Sequence, residues 1–281
     1  MIRSRIAPTP SGYLHIGNAL NFVLTYALVH RSGGSLRLRI DDIDTPRARP
    51  GYVEDIFQTL EWLGMAWDEG PHTPAEHYLS FSQSLRAARY RHLIDQLNNT
   101  GRTYACTCSR QELGTCSCRP RKLPLDTPNA AIRITPPAEP IIVQDEKLGS
   151  QAVSLQEHMP DFVIRRRDGI AAYQVASLAD DIDYGINLIV RGQDLLPSTA
   201  AQLYLASLIH ADDFSRARFY HHTLLLDSDG GKLSKSEGSR SLRSMRLAGA
   251  DPERVFSQIG AALQLRPDCR SLADILELLP G

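Results

Sequence analysis

The first forty residues constrain this chain more than any other stretch. Ser4-Arg5-Ile6-Ala7 reads as a short strand, and Pro8-Thr9-Pro10-Ser11-Gly12 is a cluster of breakers that must form a loop. From His15 to about Arg31 the apolar residues Leu20, Val23, Leu24, Ala27 and Leu28 recur at helical spacing, and Gly33-Gly34 ends the run. Ser35 to Ile40 alternates as a strand does. Strand, helix and strand at this spacing make a right-handed βαβ crossover, so the chain is read as α/β with a parallel sheet.

The remainder divides by composition. Gly51 to Leu63 and Ser82 to Leu97 read as helices, the second with Tyr90, Leu93, Ile94 and Leu97 on one face. Residues 119–160 hold seven prolines and short β-like runs at 131–134, 141–144 and 152–155. We therefore read 71–160 as an inserted α+β subdomain separating two halves of a catalytic domain, 1–70 and 161–225. Residues 226–281 form a loop-bearing, helical C-terminal segment. Phe162-Val163-Ile164 and Leu188-Ile189-Val190 read as strands returning to the parallel sheet. Ser198 to Ile209 reads as a helix, His222 to Leu226 as a strand and about Pro252 to Leu263 as a helix. A chain of 281 residues buries a core without disulfide staples, and five cysteines, an odd number, argue against a disulfide framework. The balance of 31 basic and 32 acidic residues excludes a basic coat protein and an acidic tail, but not a local basic patch. No apolar stretch approaches the ~20 residues that span a bilayer, so a cytoplasmic chain with no membrane partner is expected.

Three motifs carry chemistry. Pro8 to Asn18 leaves a strand and opens a helix, where unpaired N–H groups and the dipole suit phosphate. His15 can donate to a phosphate oxygen, and Gly17 leaves room for a purine or ribose. The competing reading is a Pro-rich turn with a surface histidine. Gly231-Lys232-Leu233-Ser234-Lys235-Ser236 places two of only four lysines, against 27 arginines, in a glycine-flanked loop. That suits a polyphosphate clamp, or else a solvated basic loop. Cys106 and Cys108, then Cys116 and Cys118, have the paired spacing of a tetrahedral thiolate site for Zn²⁺. Reduced buried cysteines or a redox pair would have the same spacing. Cys269, alone, reads as a packing residue.

The first two motifs together resemble the paired signatures of class I aminoacyl-tRNA synthetases. Arg5 to Gly12 with Leu14-His15-Ile16-Gly17 is similar to the glutamyl-tRNA synthetase opening. So are Arg39-Ile40-Asp41-Asp42-Ile43-Asp44 with Arg47, Leu60 to Gly64 with Trp67-Asp68-Glu69, Asp161 to Ile164, Arg167-Asp168-Gly169 with Tyr173, Asp180-Asp181, and Val190 to Leu195. The resemblance runs through roughly residues 3–240 in order. It implies a Rossmann-like catalytic domain with an inserted zinc-bearing subdomain. The chain ends about 45 residues after the lysine loop, and Asn18 replaces the last histidine of the first signature. Both features resemble a truncated paralogue without an anticodon-binding domain.

That resemblance implies ATP-dependent, tRNA-independent activation of L-glutamate to glutamyl-adenylate. Transfer then goes to queuosine in the anticodon loop of tRNA(Asp), performed by a monomer. By resemblance, His15, Lys232 and Lys235 are catalytic. Gly12, His15, Gly17, Asn18 and Lys235 take ATP with Mg²⁺. Arg5, Ile6, Ala7, Pro8, Thr9, Asp41, Tyr173 and Arg191 line the glutamate pocket. Arg5 and Arg191 are natural carboxylate forks and Asp41 a natural ammonium partner. The family carries Glu at the position of Asp41, one methylene longer. Asp41 and Asp42 could instead serve a turn with Asp44, and Arg191 could be a strand-end charge. The relatives usually supply a Cys-x-Cys pair, a tyrosine and one later cysteine, whereas here the set is all cysteine, with a structural zinc expected. Glutamylation of another tRNA or small acceptor, or a silent tRNA- or nucleotide-binding paralogue, are the alternatives.

Overall fold

The computed structural model describes residues 1–44, 46–109, 111–112, 116–225, 241–265 and 269–279. In chain order the elements begin with β1 (Arg3–Ile6), α1 (Ile16–Arg31), β2 (Ser35–Leu38), α2 (Pro50–Trp62) and the short α3 (Pro74–Glu76). Next come α4 (Ala87–Asn98), β3 (Thr103–Cys106), α5 (Cys118–Arg121), β4 (Ala131–Ile134), β5 (Ile141–Asp145), β6 (Gly149–Val153) and α6 (Leu155–His158). The chain continues through β7 (Val163–Arg165), α7 (Tyr173–Asp183), β8 (Leu188–Gly192), α8 (Leu196–Leu208), α9 (Asp212–Ser215) and β9 (Arg218–His222). It closes with α10 (Leu242–Leu247), α11 (Glu253–Ala262) and α12 (Leu272–Leu278). Among the described residues no helix is long and apolar enough to cross a membrane.

Two compact units result, one of residues 1–82, 186–194 and 218–281, the other of 83–185 and 195–217. The first is the parallel-sheet unit. β1 pairs parallel with β2, and β8 parallel with β9. β1 lies beside β8: Asn187 N–H donates to Arg3 O (3.0 Å) and Ser4 Oγ–H to Leu188 O (2.8 Å). The partners ascend together, so all four strands run in one direction and present their C-terminal ends at one edge. Helix α1 is buried on most of its circumference, through Ala19, Leu20, Phe22, Val23, Leu24, Ala27 and Val29. It packs against β1 and β8 as well as α11 and α12. Each of the Leu, Val and Phe side chains among them contributes about 1.5–3 kcal/mol by leaving water. α2 starts on Pro50, whose missing N–H costs nothing in the first turn, and buries Val53, Ile56, Phe57 and Leu60. Its buried Asp55 receives Arg246 of α10 at 2.7 Å. Cys269 is fully buried in this core, the packing role expected of it.

The second unit is α+β. β3, β4 and β7 form an antiparallel sheet, and β5 and β6 a hairpin. α4 buries Tyr90, Leu93, Ile94 and Leu97, and packs on α7. Asp180 of α7, fully buried, receives Gln83 Nε2 at 2.8 Å, Arg86 Nε at 2.6 Å and Tyr90 Oη at 3.0 Å. A buried carboxylate is tolerable only with such donors around it.

Two strand readings are corrected. Phe162-Val163-Ile164 does not return to the parallel sheet; β7 pairs antiparallel with β4, whose four residues are all buried. A three-residue apolar run encodes burial, not a partner. The strand read at His222–Leu226 lies earlier, at Arg218–His222, in register with Leu188–Gly192. The units meet in sequence at 82/83 and 185/186, later than the divisions read at 70/71 and 160/161. The strand β7 belongs with β4, and helix α7 with α4.

Candidate active site and thiolate centre

The loop between β1 and α1 opens at the C-terminal edge of the parallel sheet, where ligands of such sheets gather. It is fixed from both sides. Asp41 N–H donates to Pro8 O and Arg39 N–H to Ile6 O, each at 2.9 Å, and Leu242 N–H closes onto Leu14 O at 2.9 Å. Ile6 and Pro8 are buried and Thr9 exposed. Gly12 lies in the same loop.

His15 is the N-cap of α1. Its Nδ1 accepts from Gly17 N–H at 3.1 Å, and Asn18 Oδ1 accepts from His15 N–H at 3.0 Å, a reciprocal capping box. An accepting Nδ1 puts the ring proton on Nε2, so the imidazole carries a donor on its outer side. Gly17 serves this cap. A Cβ there would lie 3.1 Å from the His15 ring, so the missing side chain makes room for the imidazole itself. Asn18 likewise spends its Oδ1 on the box.

Arg5 on β1 and Arg191 on β8 are 4% and 3% exposed. Asp41 is buried with Arg39: Arg39 Nε donates to Oδ1 at 2.6 Å and Nη2 to Oδ2 at 3.3 Å. The carboxylate read as an ammonium partner is thus already held by a guanidinium. The β1–β8 contact puts Arg5 and Arg191 on neighbouring strands, and the backbone bond to Pro8 brings Asp41, three residues past β2, to the loop that leads to His15. Tyr173 belongs to the second unit, at the first turn of α7, and is 37% exposed. Lys232 and Lys235 lie outside the described residues.

The sequence reading missed the partners of Asp42 and the hydrogen bonds of the histidine at the end of β9. Asp42, buried, accepts from Ser82 Oγ at 2.7 Å and pairs with His77 Nε2 at 3.0 Å. His77 is fully buried and begins a π-turn, His77–Phe81, a feature that often marks functional sites. Burial and the Asp42 charge raise the Tyr78 phenol. At the end of β9, His222 Nδ1 faces Thr223 O at 2.9 Å, so it carries the proton, and Nε2 accepts from Asn21 Nδ2 at 3.2 Å. Asn21 also donates to Val190 O at 3.2 Å. Burial holds His222 below its ordinary value, so it is neutral. Opposite it in register is Gly192, where a Cβ would lie 2.7 Å from Asp194 Oδ1 and 2.9 Å from Leu224 Cδ2. A second Asn inside an apolar helix and a His at a strand's end were the available signals.

In the second unit, the Sγ atoms of Cys106, Cys108, Cys116 and Cys118 all lie within 4.8 Å of one another. The Cys106–Cys116 distance is 3.7 Å and Cys108–Cys118 3.5 Å. A tetrahedron with metal–sulfur bonds of ~2.3 Å has edges of about 3.8 Å. The donor set therefore fits one thiophilic ion with no position left open. Cys106 and Cys118 are buried beside Tyr104, and the other two are half-buried. Burial pushes the Cys118 thiol up, but hydrogen bonds from Thr107 and Cys108 outweigh it and bring it to about 6.

The family model described as tRNA synthetases class I (E and Q), catalytic domain, matches residues 1–123 and 121–262. A glutamyl-Q tRNA(Asp) synthetase of Nitratidesulfovibrio vulgaris is 36% identical, over 95% of this chain and 88% of its own. One from Pseudomonas aeruginosa PAO1 is 38% identical over 92% and 89%. Among solved structures, a glutamate tRNA ligase from Elizabethkingia meningosepticum in complex with its amino acid superposes with a TM-score of 0.79 at 26% identity. That match covers 99% of this chain, which spans 64% of the ligase's length.

Proposed function

The chain belongs to the class I tRNA synthetases (E and Q), and from that premise we propose that it activates L-glutamate with ATP, without tRNA, and transfers it to queuosine in the anticodon loop of tRNA(Asp). The observation that carries the reading is one juxtaposition. A capped helix entrance whose imidazole holds its proton on Nε2 stands beside two buried arginines on adjacent parallel strands. The entrance suits the ATP phosphates, and the arginines suit the carboxylates of a dicarboxylic amino acid.

The α-carboxylate attacks the α-phosphorus, and pyrophosphate leaves with the electron pair of the broken P–O bond. A carboxylate is ionised at neutral pH, so no general base is required, and positioning with charge neutralisation does the rest. His15 Nε2–H donates to a phosphate oxygen; Lys232 and Lys235 neutralise the leaving pyrophosphate, which travels with Mg²⁺ as part of the substrate. Arg5 and Arg191 fork the carboxylates. Asp41 takes the ammonium while Arg39 fixes its carboxylate. A hydroxyl of the modified base then attacks the glutamyl carbonyl, the bond from that carbon to the phosphate oxygen breaks, and AMP leaves with the electron pair while its phosphate takes the hydroxyl proton. Cys106, Cys108, Cys116 and Cys118 would hold a structural zinc ion in a four-thiolate set that leaves no position open to a reactive water.

Glutamate-dependent exchange of pyrophosphate into ATP, with no RNA present, tests the first half. Periodate protection of queuosine in tRNA(Asp) after glutamylation tests the second. Exchange that starts only on adding tRNA, or glutamate incorporation that is equal with tRNA lacking queuosine, would sink the proposal.

A further inference from the structure

The second unit contains a cavity of about 750 Å³ at the base of the thiolate centre. That volume lies in the ~300–1,000 Å³ range of ligand sites, too large for a single ion. Three of its ten lining residues are cationic, Arg102, Arg119 and Lys122, and none is acidic. The sequence around it is biased the same way. Across residues 101–125, Arg102, Arg110, Arg119, Arg121 and Lys122 stand against Glu112 alone, in a chain whose net charge is -1. Leu123 and Leu125 supply an apolar floor, and Thr103 and Thr135 add hydroxyls.

The cavity is held in shape by its own neighbours. Thr135 N–H donates to Arg102 O at 3.0 Å, and Tyr204 Oη donates to Thr135 O at 2.8 Å. Arg165 Nη2 donates to Leu125 O at 2.9 Å. Arg119 and Lys122 follow Cys118 directly, so the short helix α5 ties these cations to the thiolate cluster. Lys122 has φ +48° and ψ +47°, a left-handed conformation that costs a lysine about 1–2 kcal/mol. A strained backbone at one of only four lysines, on a cavity wall, points to use of that side chain.

We propose that this cavity is a docking site for the sugar-phosphate backbone of an RNA strand, seating one nucleotide with its phosphate among Arg102, Arg119 and Lys122. The inference rests on the reading that the acceptor is RNA, and it specifies where the second unit grips it. The three cationic side chains are donors without acceptor capacity, matched to the acceptor-only oxygens of a phosphate. Contacts of these cations with phosphate position the strand and carry no sequence information. Guanidinium and ammonium groups on phosphate make charge-assisted hydrogen bonds, and each phosphate neutralised releases counterions.

The test is binding of unfractionated tRNA by the full chain across a salt series, for wild type, Arg119→Gln/Lys122→Gln and Lys122→Gly. Lys122→Gly relieves the left-handed strain while deleting the cation, so its fold is protected; a thermal melt of each variant checks this. Wild type should show a linear fall of log affinity with log salt. The slope should shrink by about 1 for Lys122→Gly and by about 2 for the double variant. Slopes equal to wild type in both folded variants overturn the proposal. AMP is titrated in parallel. AMP binding that both variants lose, with tRNA slopes unchanged, reassigns the cavity to a free nucleotide and also overturns it. Wild-type pyrophosphate exchange is scored separately. Its absence defeats the activation reading and leaves the tRNA slopes to decide the cavity.

Discussion

His15 does two jobs that substitution can separate. Its Nδ1 caps α1, and its Nε2–H is assigned to the ATP phosphates. His15→Ala removes the acceptor used by Gly17 N–H at 3.1 Å but leaves Asn18 Oδ1 on the residue-15 N–H at 3.0 Å. Losing an N-cap acceptor costs about 0.5–2 kcal/mol. Half of the box survives, so we expect about 1 kcal/mol, a fall in Tm of about 2–4 °C. Loss of one donor aimed at developing phosphate charge costs about 2.7–4 kcal/mol of barrier, or 10²–10³ in rate. His15→Asn restores a good cap, because its Oδ1 reaches the same N–H, but its amide ends short of where Nε2 stood. Thermal melts and glutamate-dependent pyrophosphate exchange read the two jobs apart. His15→Ala should lose both, and His15→Asn only the exchange. If His15→Asn regains exchange to within a few-fold of wild type, His15 is a cap and nothing more.

Three other outcomes follow from the geometry. Purified protein should contain close to one zinc per chain, and Cys116→Ser should lose it and impair transfer to tRNA more than pyrophosphate exchange; equal loss of both half-reactions would reject a structural role. His77→Ala should destabilise by about 3–5 kcal/mol in urea unfolding, since it strips a donor from buried Asp42 and leaves a cavity, while His77→Gln should recover much of this; a loss under about 1 kcal/mol for Ala would refute the anchor. Burial depresses His222 below its ordinary 6.5, so the folded state binds fewer protons than the unfolded chain, and its contribution is complete above that value and lost as pH falls below it. The Tm advantage of wild type over His222→Gln should therefore shrink from about pH 7.5 to about pH 5.5, and a constant difference would show that His222 is not held neutral.

What the sequence made legible was local. The βαβ opening, its breaker loop and the cysteine pairs are written in spacing, and α1 begins one residue after His15 as the periodicity requires. What it hid was non-local. Nothing around Val163 states that its partner is β4, because burial on both faces looks alike in any sheet. Asp42 and His77 are 35 residues apart, and only a π-turn, which has no composition signature, brings the imidazole to the carboxylate. Asp41 reads as a free anion until Arg39, two positions earlier, is seen to fold back onto it. The ring of His15 lies 3.1 Å from where a Cβ of Gly17 would stand, a contact that spacing alone does not show.

The contact between Ser4 and Leu188 closes a span of 184 residues, and that distance has a consequence during synthesis. At ~5–20 residues per second a ribosome needs roughly 10–40 s to make that span. Throughout that interval β1 and β2 have only each other, and α1 has its apolar circumference without β8, α11 or α12 to cover it. Two strands are a marginal structure in water. The segment 83–185, by contrast, has its antiparallel strands close in sequence and can order as it emerges, since short loops close at the least entropic cost. The guest folds before its host. The nascent N-terminus therefore keeps part of its apolar surface uncovered until the last quarter of translation delivers β9 and the closing helices.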